Sequence, residues 1–167
     1  MTIVLSGTTA IAAPNGTFRQ AHEYGYGDKS SLDPASRGRV MQITEKLMSR
    51  LIRPDMKGSP SPDLATSWSS NDEATVWTLN LREGVKFHDG SGFDSGDVIY
   101  TFSRVLDPEN KSPARSAIKM IEKMEAPDDM TVKFTLSTPF ADMPLQLMDY
   151  RLRIIPENSG DSIATSG

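Results

Sequence analysis

Between Leu64 and Leu81 the apolar positions of the chain change to a period of two. Leu64, Thr66 and Trp68 fall on one side of an extended chain. After the polar interruption "SSNDEA", Trp77, Leu79 and Leu81 share a side, opposite Val76, Thr78 and Asn80. The pattern predicts a β-hairpin with a tryptophan on each arm and its turn near Asn71 and Asp72. Val85 and Phe87 continue in extended form after Gly84, and Asp89-Gly90 marks a turn. The period then becomes helical. Val98, Phe102 and Val105 form a stripe flanked by Ile99 and Leu106. Asp94 stands where an N-cap belongs, Asp97 falls at the third helical position, and Asp107-Pro108 ends the helix.

Upstream, "TFRQAHEYGYG" reads as a strand ending at Gly25 or Gly27, and "DKSSLDPASRG" as a loop. Val40, Ile43, Leu47 and Leu51 recur at helical spacing, with Arg50 and Arg53 near the C-terminal end and Pro54 as the stop. "DMKGSPSPD" reads as a second loop. Downstream, "SPARSAIKMIEKME" suits a short helix and a strand equally. "PDDM" is a turn, and Val132, Phe134 and Leu136 alternate with Thr131, Lys133 and Thr135 as a half-buried strand. Pro139 opens a short helix through "FADMPLQLM", and "YRLRIIP" reads as a last short strand. The expected fold class is α+β: two β-hairpins in a mainly antiparallel sheet, covered by two or three helices.

With 167 residues the chain is long enough for one domain that buries roughly 70% of its unfolded surface. The net charge of −4 argues against nucleic acid as a partner. Cysteine is absent, which excludes disulfides, thiolate metal sites and a thiol nucleophile. "MTIVLSGTTAIAAPNG" carries no Lys or Arg, and Ala10-Ile11-Ala12 has the small-x-small form of a secretory signal's end. Residues 1–17 are therefore read as the remnant of a signal peptide or as a disordered tail. The polar "GDSIATSG" completes no element, so the expectation is a piece of a longer protein. The methionines are read as core padding rather than as a binding surface.

Candidate chemistry is sparse. His88, Asp89 and Asp94 lie close together, but the turn and the cap account for both aspartates, and no G-x-S-x-G elbow supplies a nucleophile. The preferred reading of His88 is a half-exposed strand residue whose imidazole bonds a loop carbonyl. No metal and no cofactor is expected. His22 reads as structural, and Asp128-Asp129 as turn residues. Lys29, Arg37 and Arg39 surround "SLDPASRG", where they suit an anionic group and solvated loop charge equally well.

The stretch "LATSWSSNDEATVWTLNLREGVKFHDGSGFDSGDVIYTFSRVLDP", residues 64–108, resembles the signature region of the family 5 extracytoplasmic solute-binding proteins, the peptide-binding components of ABC importers. "SLDP" at 31–34, "MIEKMEAPDDMTVKFTLSTPF" at 120–140 and "IIP" at 154–156 extend the likeness over nearly all of the chain from residue 18. Asp94, Ser95 and Gly96 depart from the Thr or Leu, Ala and Glu usual there, and Gly96 should weaken the helix start by about 1 kcal/mol relative to Ala. A Gly-Thr-Gly-Pro-Phe-like segment expected after "IATSG" is absent.

The resemblance implies a fragment of a type II, cluster C-like periplasmic-binding-protein fold. Residues 18–35 would be the first strand and loop of lobe I, 36–150 the accessory α+β domain, and 151–167 a return strand toward lobe I. It implies an extracytoplasmic location, a peptide or peptide-like solute held between hinged lobes, and an ABC permease as partner. Family members carry dipeptides, oligopeptides, glutathione, nickel, opines and some sugars. Ser36, Arg37, Gly38 and Arg39 are the expected ligand-binding residues at the cleft wall, Gly38 and Arg39 foremost. Weak self-association is expected from surface that faces the missing lobes. The alternatives are a stand-alone interaction module and a small hydrolase using His88 and Asp89.

Overall fold

The computed structural model describes Asp33, Pro34, residues 41–157 and Ser159. The expected first strand and Ser36, Arg37, Gly38 and Arg39 lie outside the described residues, as does His22. In chain order the elements are α1 (Met41–Leu47), β1 (Ile52–Pro54), β2 (Pro60–Pro62), β3 (Ala65–Ser70), β4 (Val76–Leu81), α2 (Ser95–Leu106), α3 (Arg115–Ile118), β5 (Ile121–Asp128), β6 (Thr131–Leu136) and α4 (Met143–Gln146). A 3-10 turn, Pro108–Asn110, follows α2.

The two expected hairpins form one antiparallel sheet in the order β3-β4-β6-β5. Trp68 pairs with Leu79 and Trp77 with Ser70, so the two tryptophans stand on paired arms as the alternation requires. The arms join through β4 and β6, where Trp77 faces Phe134 and Leu79 faces Val132. Trp77, Leu79, Leu81, Val132, Phe134 and Leu136 are all buried on one face. The apolar stripe of α2 covers that face. Val98, Phe102 and Val105 are fully buried, and the Phe102 ring stacks on Phe134 with centroids 5.1 Å apart.

The start of α2 is set by a reciprocal cap. The Gly96 amide donates to Asp94 Oδ1 at 2.7 Å, and the Asp94 amide donates to Asp97 Oδ2 at 2.9 Å. Ser95 ties this end to the β5–β6 turn, its amide donating to the Asp129 carbonyl and its hydroxyl to that of Asp128.

Several expectations are corrected. The helix expected through Leu51 stops at Leu47, and residues 52–54 form β1 instead. Beyond Leu47 the backbone finds stronger partners off the helix: the Arg50 amide donates to Asp63 Oδ2 and the Ile154 amide to the Ser49 carbonyl. "DMKGSPSPD" is a tight β1–β2 hairpin rather than a loop. Asp55 Oδ1 accepts from the Lys57 and Ser59 amides there, and Gly58 supplies the positive φ of +82°. Leu64, Thr66 and Trp68 do not share a face. A bulge between Ala65 and Ser67 breaks the alternation, burying Leu64 and Ala65 together and exposing Thr66. "SPARSAIKMIEKME" holds both candidate elements in succession, α3 and then β5. α4 begins only at Met143.

"YRLRIIP" forms a single bridge, Arg153 to Arg50, in place of the expected strand. Side chains of α2 replace the ladder on its other side. The Glu157 amide donates to Asp97 Oδ1 at 2.7 Å, and the Ile155 amide to Thr101 Oγ1 at 3.1 Å. Asp97 and Thr101 are one helical turn apart, so together they hold an extended segment along the helix.

Candidate functional site

His88 lies exposed at the turn that Asp89 and Gly90 make. It is not the half-exposed strand residue of the sequence reading, but its bond is of the expected kind: Nε2 stands 2.9 Å from the Leu47 carbonyl oxygen. A carbonyl only accepts, so Nε2 carries the proton. The imidazole thereby caps the last turn of α1, where carbonyls lack partners. Asp89 turns away to Ser91, whose hydroxyl and amide donate to Oδ1 at 2.6 and 2.9 Å. The Ser91 hydroxyl, then the Ser91 amide, hold the Asp89 carboxyl below its usual value. The pair is a turn and a cap, not a dyad. Among the described residues no three His, Asp or Glu side chains are arranged to hold a metal ion. The cavity beside His88, lined by Leu47, Leu64, Phe87 and Phe93 among others, is about 80 Å³, far smaller than a peptide site.

Two parts of the signature meet elsewhere. Asp33 of "SLDP" takes a two-pronged bond from Arg104 of α2, at 3.2 Å and 2.7 Å. Both side chains are largely buried, and the planar fork fixes Asp33 against α2. This contact joins residues 71 positions apart, three before Ser36.

A second charged centre gathers where the exit segment crosses β1. Arg50 and Arg153 pair across the bridge, and both guanidinium groups are buried. Arg50 Nη1 donates to the Met148 carbonyl at 2.6 Å, and Arg153 Nη1 to that of Met48. Glu45 Oε1 stands 3.5 Å from Arg50 Nη2 and 4.0 Å from Arg153 Nη2. Burial, and then the neighbouring Arg50, pull the Arg153 guanidinium below its usual value. Nearby, Arg151 forks onto Asp149. Burial pushes the Asp149 carboxyl up, but the Arg151 bonds outweigh it and hold the group below its usual value.

Sequence reading missed this centre. It took Arg50 for a cation suiting a helix end and Arg153 for a residue of a plain strand. The available signal was Arg153 itself, a charge among Leu152, Ile154 and Ile155.

The fold is that of part of a periplasmic binding protein. The chain is similar to the binding protein AgaA of A. tumefaciens R10, solved in complex with agropinic acid: TM-score 0.73 and 35% identity over 83% of this chain and 28% of that one. It is also similar to the ABC transporter-associated periplasmic binding protein DppA of Helicobacter pylori, solved with the peptide STSA: TM-score 0.69 and 29% identity over 81% and 30%. By sequence it is 44% identical over 78 residues to the glutathione-binding protein GsiB of Pectobacterium atrosepticum, covering 47% of this chain and 15% of that protein. It is 36% identical over 121 residues to the probable D,D-dipeptide-binding periplasmic protein DdpA of Escherichia coli, covering 68% and 23%. The chain thus spans less than a third of each of these relatives. Residues 59–166 match the description "Bacterial extracellular solute-binding proteins, family 5 Middle", and the chain belongs to that family. The family is one of binding proteins, not enzymes, which removes the hydrolase alternative. No helix among the described residues is long and apolar enough to cross a membrane.

Proposed function

We propose that the chain is part of the solute-binding component of an ABC importer for peptides or peptide-like solutes, acting outside the cytoplasm with a membrane permease. Residues 36–150 would be the accessory domain, 18–35 and 151–167 the pieces that lead to and from lobe I. The observation that carries this reading is the family match over residues 59–166. The Asp33–Arg104 fork supports it by fastening Asp33 of "SLDP" to the signature helix. On this reading Ser36, Arg37, Gly38 and Arg39 are the proposed ligand contacts, as the family resemblance implies. Glutathione, dipeptides and agropinic acid, named for the relatives, define the solutes to try first. The test is uptake of these labelled solutes by cells with and without the gene that encodes the chain, with and without its permease. Loss of uptake of one class in both deletions is expected. Unchanged uptake of all of them in both would remove the proposal.

A further inference from the structure

We propose that Met56, at the tip of the β1–β2 hairpin, is a site of reversible oxidation by hydroperoxides, where the chain takes up a sulfoxide oxygen without disturbing its fold. The inference stands apart from the solute-binding reading and concerns a residue that reading does not use.

The sequence reads the methionines as core padding, and Met56 is the exception. Met48 and Met143 are buried, and Met120, Met124, Met130 and Met148 pack partly buried against the core. Met56 is 103% exposed, so nothing covers its thioether. In the reaction a sulfur lone pair attacks one peroxide oxygen, the O–O bond breaks and an S–O bond forms. The proton of the attacked oxygen passes through water to the departing one. The thioether is oxidised to the sulfoxide, and the hydroperoxide is reduced to water or an alcohol. Charge builds on the departing oxygen, and solvent at an exposed tip supplies the hydrogen-bond donors that an apolar core lacks. A sulfoxide is polar and disrupts packing where it forms in a core. The tip holds no packing to disrupt. The hairpin is closed by other groups: Asp55 Oδ1 accepts the Lys57 and Ser59 amides, the Asp55 amide donates to the Ser59 carbonyl, and the Gly58 amide to that of Asp55. None of these bonds runs through Met56. What the oxygen changes is the surface. Pro54 borders both the groove that holds Met56 and the one that holds the exposed Leu145 and Tyr150, so oxidation turns one end of an apolar strip polar.

The experiment exposes the 167-residue chain to hydrogen peroxide, stops the reaction at intervals with catalase, and follows each methionine peptide by mass spectrometry. Met56 is expected to oxidise roughly tenfold faster than Met48 and Met143, and faster than Met120, Met124, Met130 and Met148. In denaturing urea the rates should converge, because the lead comes from the fold's covering of the others. Chain oxidised at Met56 alone should unfold at the same urea midpoint as the untreated chain. The two methionine sulfoxide reductases, one for each epimer, should together return it to its starting mass. Met56→Leu should keep the midpoint and lose the first one-oxygen gain in mass. A Met124 or Met148 that reacts as fast as Met56 would overturn the site. So would a lead that persists in urea, a midpoint that falls once Met56 is oxidised, or a sulfoxide that the reductases leave in place.

Discussion

His88 shows how little a side chain's chemistry says until its partner is known. Its Nε2 proton is spent on the Leu47 carbonyl, a bond at the surface. His88→Ala should therefore cost about 0.5–1.5 kcal/mol and leave the fold intact. Urea unfolding with and without added zinc checks both halves. A zinc-dependent midpoint lost in the variant would mean that the imidazole is a ligand after all. Two aspartates, Asp97 buried and Asp149 half-buried, titrate in opposite senses. Asp149 has a lowered carboxyl pKa in the fold, so its contribution is present above the unfolded value of about 3.9 and fades as the pH falls through the folded one. Asp149→Asn should thus cost about 1–2 kcal/mol at neutral pH, with the gap to the wild type closing below about pH 4. Asp97 runs the other way. Burial raises its carboxyl against the amide bonds of Asp94 and Glu157, so the wild type should gain on Asp97→Asn as the pH falls from neutral. Melting curves across pH 3–7 read both slopes.

At the scale of elements, the sheet depends on one turn and one stack. Asn71 Oδ1 accepts the Thr75 and Val76 amides, and its amide nitrogen donates to Glu73 and to Thr75 Oγ1. That network holds Ala74 at a φ of +51°, a region an alanine seldom enters. Asn71→Ala should cost about 1–2 kcal/mol and speed exchange of the β3–β4 amides more than those of β5–β6, which hydrogen exchange would detect. Phe102 sits between α2 and the sheet, so Phe102→Ala should cost about 3–5 kcal/mol. A loss under about 1 kcal/mol would mean that α2 is not what covers β4 and β6. The elements legible in advance were those with a clean period: β4, β6 and α2, with its cap. Those misread were β1, β2 and the exit segment, where no period of useful length exists. Their form is set by Asp63, Asp97 and Thr101, partners distant in sequence.

The whole molecule raises the question of where affinity resides. The relatives are more than three times as long as the stretch they share with this chain. A cleft between lobes gains its affinity from groups desolvated on both sides. If the proposed reading holds and the chain supplies one wall of such a cleft, it alone should bind di- and oligopeptides no more tightly than about millimolar, near −4 kcal/mol, because one wall leaves the ligand half solvated. Calorimetry against a mixed peptide library checks this. Micromolar binding by the monomer would place a complete site within these residues.

The sequence by itself determined the fold class, the two hairpins and the capped helix, because each follows from side-chain period and turn chemistry within a dozen residues. It also carried the family, in the ordered signature from Leu64 to Pro108. Only the tertiary structure decided which polar groups meet. Arg50 with Arg153, Asp33 with Arg104 and Asp97 with Glu157 are all more than fifty positions apart. Nothing local in a sequence encodes such a pairing. The physical reason is that a buried charge or amide takes whatever partner the packing of the whole chain brings within hydrogen-bond reach.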